Sequence, residues 1–179
     1  MLISKILCSK EYSLIRKLRG KLVSGKNRVS IGKGCVISNT VFSKGVTIED
    51  YVRIMGNPKI KIGENVYINC FTMISGDITV EDDVLISQFV NIWGRAHRFM
   101  KKDMKIWDQY GKHGITDQGY DIKPIIIKSG AWIGPHVTIF RGVTIGEGAV
   151  IGANSVVTKN IPDYAVCFGA PAKIIKYRK

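Results

Sequence analysis

Apolar residues recur along this chain with a period of six. Ile62, Ile68, Ile74, Val80, Ile86 and Ile92 keep the spacing without a slip, and Ile127, Ile133, Ile139, Ile145, Ile151 and Val157 take it up again. The residue two before each is usually small or β-branched, as at Val66, Thr72, Val84, Val90, Ala131, Val137, Val143, Ala149 and Ser155. The residue after is often Gly, Asn or Ser, as at Gly63, Asn69, Ser87, Gly134, Gly146 and Gly152. A helix would space its apolar residues 3, 4 and 7 apart, and a half-buried strand would alternate without a turn residue at a fixed phase. The observed pattern predicts short parallel strands meeting at corners, three hexads to a turn of about 18 residues, wound into an all-β prism with the aliphatics inside. Stacked turns then lie about 4.8 Å apart, and each inward Ile meets its equivalents above and below. Earlier hexads are looser: Ile31 and Ile37, then Ile48, Ile54 and Ile60, with a two-residue offset to Ile62 that predicts an irregular turn near Gly56-Asn57-Pro58.

Three segments depart from the period, and they divide the chain into a helical cap over 1–25, a prism over 26–162 and a tail over 163–179. Ile3, Ile6, Leu7, Leu14 and Leu18 follow a helical spacing, with Lys5, Lys17 and Lys21 elsewhere on the surface. Two readings are open there: a helix closing the end of the prism, or an interfacial helix in peripheral contact with an anionic membrane. Between Ile92 and Ile127 the ladder stops, so 93–124 is an extruded loop. It carries Trp107, Tyr110, Tyr120, His97 and His113, and a stretch so long and so aromatic inside a regular solenoid reads as functional rather than as a linker. After Val157 the chain runs through Pro162, Gly169 and Pro171 into Lys173, Lys176, Arg178 and Lys179, which points to a crossing back over the last turn.

Composition narrows the class without naming a partner. The 179 residues are 45% hydrophobic and 23% charged, ordinary for a globular domain, which excludes a collagen, a coiled coil or a disordered tail. Lys and Arg number 27 against 14 Asp and Glu, a formal charge of +13 that favours an anionic partner: nucleic acid, an acidic surface, an acidic saccharide or a phosphorylated cofactor. Cys8, Cys35, Cys70 and Cys167 are scattered without metal-ligand spacing, so reduced thiols in a cytoplasmic protein are expected. No apolar run approaches the roughly 20 residues that span a bilayer.

Candidate chemistry is confined by the histidine count of three. His97 lies five residues past Ile92, at the root of the extruded loop, where a rigid scaffold could hold a general base against a cleft. A surface loop histidine is the competing reading. His113 is flanked by Gly111 and Gly114 and reads as a rim residue, whereas His136 within the ladder is expected to point outward from a flat face. No histidine cluster or His-x-x-x-x-His exists, so no metal is implied. The glycines of Gly32-Lys33-Gly34 and Gly146-Glu147-Gly148 fall short of G-x-G-x-x-G and read as repeat corners.

At this point the chain resembles the hexapeptide-repeat acyltransferases. The resemblance is carried by Gln118 to Pro124, by Trp132-Ile133-Gly134-Pro135-His136-Val137-Thr138-Ile139, by Gly142-Val143-Thr144-Ile145-Gly146, by Gly152 to Pro162 and by Gly169-Ala170-Pro171-Ala172-Lys173. These segments are similar to capsule, lipopolysaccharide and colanic-acid type acetyltransferases. Val90-x-Ile92-x-x-x-x-His97 is similar to the loop start of the galactoside and maltose type. The resemblance implies a left-handed parallel β-helix, although nothing in the spacing shows the hand, and a homotrimer in which each site is shared by two prisms. It implies acetyl-CoA as co-substrate, a saccharide hydroxyl as acceptor, His97 as catalytic base and Asn69 as an acceptor contact across the subunit boundary. Asn69 is equally readable as a repeat-corner residue. Trp132, Gly134, Ala153, Thr158, Lys159 and Lys176 match the residues lining the CoA groove. The lysines suit the 3′-phosphate and pyrophosphate of CoA, with a merely solvated basic tail as the alternative. Arg141 stands where the family usually has Pro, a departure that touches nothing catalytic; Lys101 to Trp107 make the loop longer than in the galactoside type, which leaves the acceptor open. An amino-sugar or antibiotic acetyltransferase, and a non-catalytic basic helix binding an acidic polymer, remain as rivals; no nucleic-acid motif supports a nucleic-acid partner.

Overall fold

The computed structural model describes residues 22–24, 28–109 and 119–179; His113 lies outside them, as does the expected helical cap over 1–25 except for Leu22–Ser24, which form a strand and not a helix. The strands follow the hexads. β1 (Leu22–Ser24) pairs antiparallel with β2 (Val29–Ile31), after which β2, β3 (Val36–Phe42), β4 (Thr47–Ile48), β5 (Arg53–Ile62), β6 (Tyr67–Ile68), β7 (Met73–Val80), β8 (Leu85–Ile86) and β9 (Asn91–Trp93) wind the first turns. β10 (Arg95–His97), the short helix α1 (Ile106–Gln109) and β11 (Tyr120–Ile122) form an excursion. β12 (Ile125–Ile127), β13 (Trp132–Ile133), β14 (Thr138–Phe140), β15 (Thr144–Ile145), β16 (Val150–Ile151) and β17 (Val156–Val157) resume the winding, and β18 (Ala165–Phe168) and β19 (Lys173–Tyr177) close it.

Parallel pairing builds a solenoid of about seven turns with three faces, consistent with the left-handed β-helix that the resemblance implies. The first face stacks β2, β4, β6, β8, β13, β16 and β18. The second stacks the leading halves of β3, β5 and β7 with β9, β14 and β17; the third stacks their trailing halves with β12 and β15. Each hexad residue meets its counterpart one turn away. Ile68, Ile86, Ile133 and Ile151 are in register on the first face, Ile74, Ile92, Ile139 and Val157 on the second, and Val80, Ile127 and Ile145 on the third. All of them are buried, each side chain removing the order of 1.5–3 kcal/mol of apolar surface from water.

The irregular turn falls where expected. Between Ile54 and Ile62 the β5 pairing shifts register across Gly56 and Ile60, because two extra residues bulge from the corner while both Ile60 and Ile62 still point inward. At the edge between the first and second faces, Tyr51, Phe71, Phe89 and His136 occupy left-handed backbone (φ 57° to 59°) and stack ring on ring, 5.3, 5.1 and 4.8 Å between centroids. His136 is therefore exposed at an edge and not on a flat face, since the left-handed φ at this corner swings the side chain onto the ring below. The stack continues past residue 162: β18 extends the first face with Cys167 beside Ile151, and β19 folds back antiparallel to it.

Candidate active site

Residues after β9 leave the prism between its second and third faces. Gly76 and Gly94 make that exit possible: a Cβ on Gly76 would sit 2.8 Å from the Cα of Gly94, so only glycine allows the two backbones to cross this closely. The excursion is closed at its base, where the Lys123 N–H donates to the Gly94 carbonyl at 3.1 Å. β10 and β11 then pair antiparallel, setting Arg95 opposite Ile122, Ala96 opposite Asp121 and His97 opposite Tyr120. His97 is exposed, with its ring 4.7 Å from that of Tyr120 at a tilt of 35°.

A cavity of about 490 Å³ lies against His97, lined also by Arg98, Phe99, Lys101, Asp121 and Arg141. Its walls are tied down by polar contacts. Arg141, at the corner after β14, holds Asp121 Oδ2 through Nε (3.1 Å) and Nη2 (3.0 Å), with only 22% of the arginine side chain exposed. The Gln109 side chain bridges the loop by accepting from the Lys101 N–H and donating to the carbonyls of Lys101 and Met104. The Arg141 that departs from the family pattern is thus the tether between the prism and the hairpin bearing His97.

The other expected site residues fall into two groups. Asn69, Gly134 and Ala153 lie at the edge between the first and second faces, beside Trp132 and Lys176 on the first face itself. Thr158 and Lys159 lie at the edge between the second and third faces, the edge that carries His97 two turns earlier. That edge is opposite the first face, so one chain does not bring Trp132, Lys176 or Asn69 to His97. Trp132 and Lys159 are exposed, the former donating from Nε1 to Ser87 Oγ at 3.2 Å. Asn69 accepts the Cys70 N–H at 2.7 Å and donates to Gln88 Oε1 at 3.4 Å; it is a corner residue, but the left-handed φ belongs to Phe71. Cys35, Cys70 and Cys167 are free thiols, and burial pushes those of Cys35 and Cys167 up, away from nucleophilic thiolate. Among the described residues no cluster could hold a metal ion, and no helix is long and apolar enough to cross a membrane.

Tyr120 stood out in the sequence only as one aromatic of the loop, and Arg95 had no assigned role. The alternation Trp93-x-Arg95-x-His97 was the available signal, since period two puts the three on one side of an extended strand.

The family described as bacterial transferase hexapeptide (six repeats) matches residues 124–159, the turns that follow the excursion. A Mycobacterium tuberculosis protein named as an acetyltransferase is 36% identical over 178 residues, covering 94% of this chain and 56% of its own. The galactoside O-acetyltransferase of Escherichia coli is 36% identical over 131 residues, covering 72% and 59%. Among solved structures, AntD, an N-acyltransferase from Bacillus cereus in complex with dTDP and 3-hydroxybutyryl-CoA, superposes with a TM-score of 0.74 at 28% identity, covering 96% of this chain and 89% of that one. The chain spans little more than half the length of the curated relatives it matches. It belongs to the hexapeptide-repeat acyltransferase family.

Proposed function

We propose that the protein is an acetyl-CoA-dependent O-acetyltransferase that modifies a hydroxyl of a saccharide or surface-polysaccharide precursor in the cytoplasm. The observation that carries this reading is His97 at the mouth of a built cavity, on a hairpin braced against the prism at both its base and its side. His97 takes the proton of the acceptor hydroxyl as that oxygen attacks the thioester carbonyl. Collapse of the tetrahedral intermediate expels the CoA sulfur, which recovers the proton from the imidazolium, so no acyl-enzyme forms. A backbone N–H facing the cleft stabilises the oxyanion.

Trp132, Gly134, Ala153, Thr158, Lys159 and Lys176 hold acetyl-CoA, the lysines facing its phosphates, and Asn69 contacts the acceptor. Their division between opposite sides of one prism supports a homotrimer in which the first face of one subunit meets the His97 edge of the next. A second reading is favoured by the likeness to AntD: the acceptor is an amino sugar on a nucleoside diphosphate, and the base relieves an ammonium instead of a hydroxyl.

Calorimetric titration with CoA and acetyl-CoA tests the shared premise, and binding is expected. Absence of binding by the folded protein would shift the reading to a non-catalytic scaffold for an acidic polymer. An acceptor panel of a galactoside, a maltoside, a sialic-acid oligosaccharide and a nucleoside-diphosphate amino sugar then separates O- from N-transfer.

A further inference from the structure

A column of stacked side chains runs from the prism into the excursion and ends on His97. At its foot Trp93 belongs to β9, in register with Ser75 below and Phe140 above, so its backbone is fixed by the solenoid. The Arg95 guanidinium lies over the Trp93 ring at 5.5 Å and over the Tyr120 ring at 4.7 Å. The far side of the column is the Tyr120 to His97 ring contact at 4.7 Å. Arg95 is partly buried, its Nε is buried without a hydrogen-bond partner, and among the described residues it forms no ion pair. Among the described residues, the guanidinium is held between the two aromatic faces, which suits its planar and weakly hydrated charge.

The strand register explains why the contacts are this close. The Arg98 N–H donates to the Gly119 carbonyl, so the neighbouring His97 and Tyr120 form a pair of the non-hydrogen-bonded kind, in which side chains approach most nearly. Tyr120 is the diagonal neighbour of Arg95 on the same face of the hairpin, within reach of a long side chain. Proton abstraction demands placement of the imidazole to a fraction of an ångström, and a ring contact on the same face of the hairpin restricts its rotamer. We propose that Arg95 and Tyr120 are positioning residues, which carry the rigidity of the prism through Trp93 to the imidazole of His97. The proposal rests on the reading of His97 as the general base, and it deepens that reading by naming what orients the base.

The test compares Arg95→Met, Tyr120→Leu and Tyr120→Phe with the unaltered protein and with His97→Ala, using the acceptor of the panel that turns over fastest. Arg95→Met and Tyr120→Leu are expected to lower kcat about tenfold while KM for acetyl-CoA stays within about twofold, and Tyr120→Phe, which keeps the ring, to restore the rate. Partial misfolding also lowers apparent kcat at constant KM by reducing the active fraction, so kcat is taken per folded molecule, and the rescue by Tyr120→Phe separates a ring effect from a folding defect. The second readout needs no turnover: with three histidines in the chain, the imidazole C–H resonances of His97 are assignable by NMR from His97→Ala. They are expected upfield under the Tyr120 ring current, to move in Tyr120→Leu and to stay in Tyr120→Phe. An inactive His97→Ala beside fully active Arg95→Met and Tyr120→Leu, with the resonances unmoved, overturns the positioning role and leaves the base intact. A fully active His97→Ala overturns the base itself, and the positioning role with it.

Discussion

The prism and the excursion are held together in different ways. In the middle turns of the prism each inward residue has equivalents one turn above and below, so Ile133 is fixed between Ile86 and Ile151 as Ile139 is fixed between Ile92 and Val157. Error at one position is felt by its neighbours, and stability is close to a sum of repeat and interface contributions. In the excursion no position has an equivalent. Its geometry depends on a few unlike contacts: the Lys123 to Gly94 backbone bond, the Arg141 to Asp121 pair, the Gln109 bridge and the Arg95 column. The repeat supplies rigidity and the exception to the repeat carries the proposed base, so substitutions in the two regions should fail in different measurements.

The largest effect is expected in the prism. Ile133→Ala removes buried volume between two stacked isoleucines and should cost about 2–5 kcal/mol, read as a lowered unfolding midpoint with kcat per folded molecule unchanged. A matching loss of stability on truncating exposed Met100 in the excursion would break the contrast between the regions.

Next, His97→Ala should lower kcat by about 10²- to 10⁴-fold while the unfolding midpoint and the affinity for CoA stay near their original values. Full retention of rate would remove His97 as the base.

Lys159→Ala is smaller and of another kind. Loss of one charge-assisted contact to a CoA phosphate should raise KM for acetyl-CoA by about tenfold with little change in kcat, and an unchanged KM would argue against that contact.

The smallest effect belongs to a corner of the late turns. The carboxyl of Asp163 is held below the usual carboxylate range by the Glu147 N–H that it accepts at 2.8 Å and by Lys128 at 3.2 Å. A depressed folded pKa contributes stability that is present above the unfolded value and is lost as pH falls through the folded one. Asp163→Asn should therefore be slightly less stable at neutral pH, and the difference should shrink as pH falls below the usual carboxylate range and vanish once Asp163 is protonated, as read by thermal unfolding across acid pH. A difference that persists in acid would show that the charge is not its source.

What the chain determined unaided was everything that repeats. The three-faced winding, the inward row of aliphatics, the irregular turn at Gly56-Asn57-Pro58 and the interruption after Ile92 were all legible, because a hexad is a local code and each turn buries its residues against a copy of itself. His97 was legible as a candidate for the same reason: its distance from Ile92 fixes it at the exit from the ladder. The tertiary structure alone decided how the excursion is arranged. Arg141 looked like a departure without consequence until the fold put it against Asp121, 20 residues earlier. Arg95 gave no sign of its place between Trp93 and Tyr120. Those contacts join residues with no periodic relation, so no pattern along the chain encodes them; they exist only once the prism has brought distant corners to one edge.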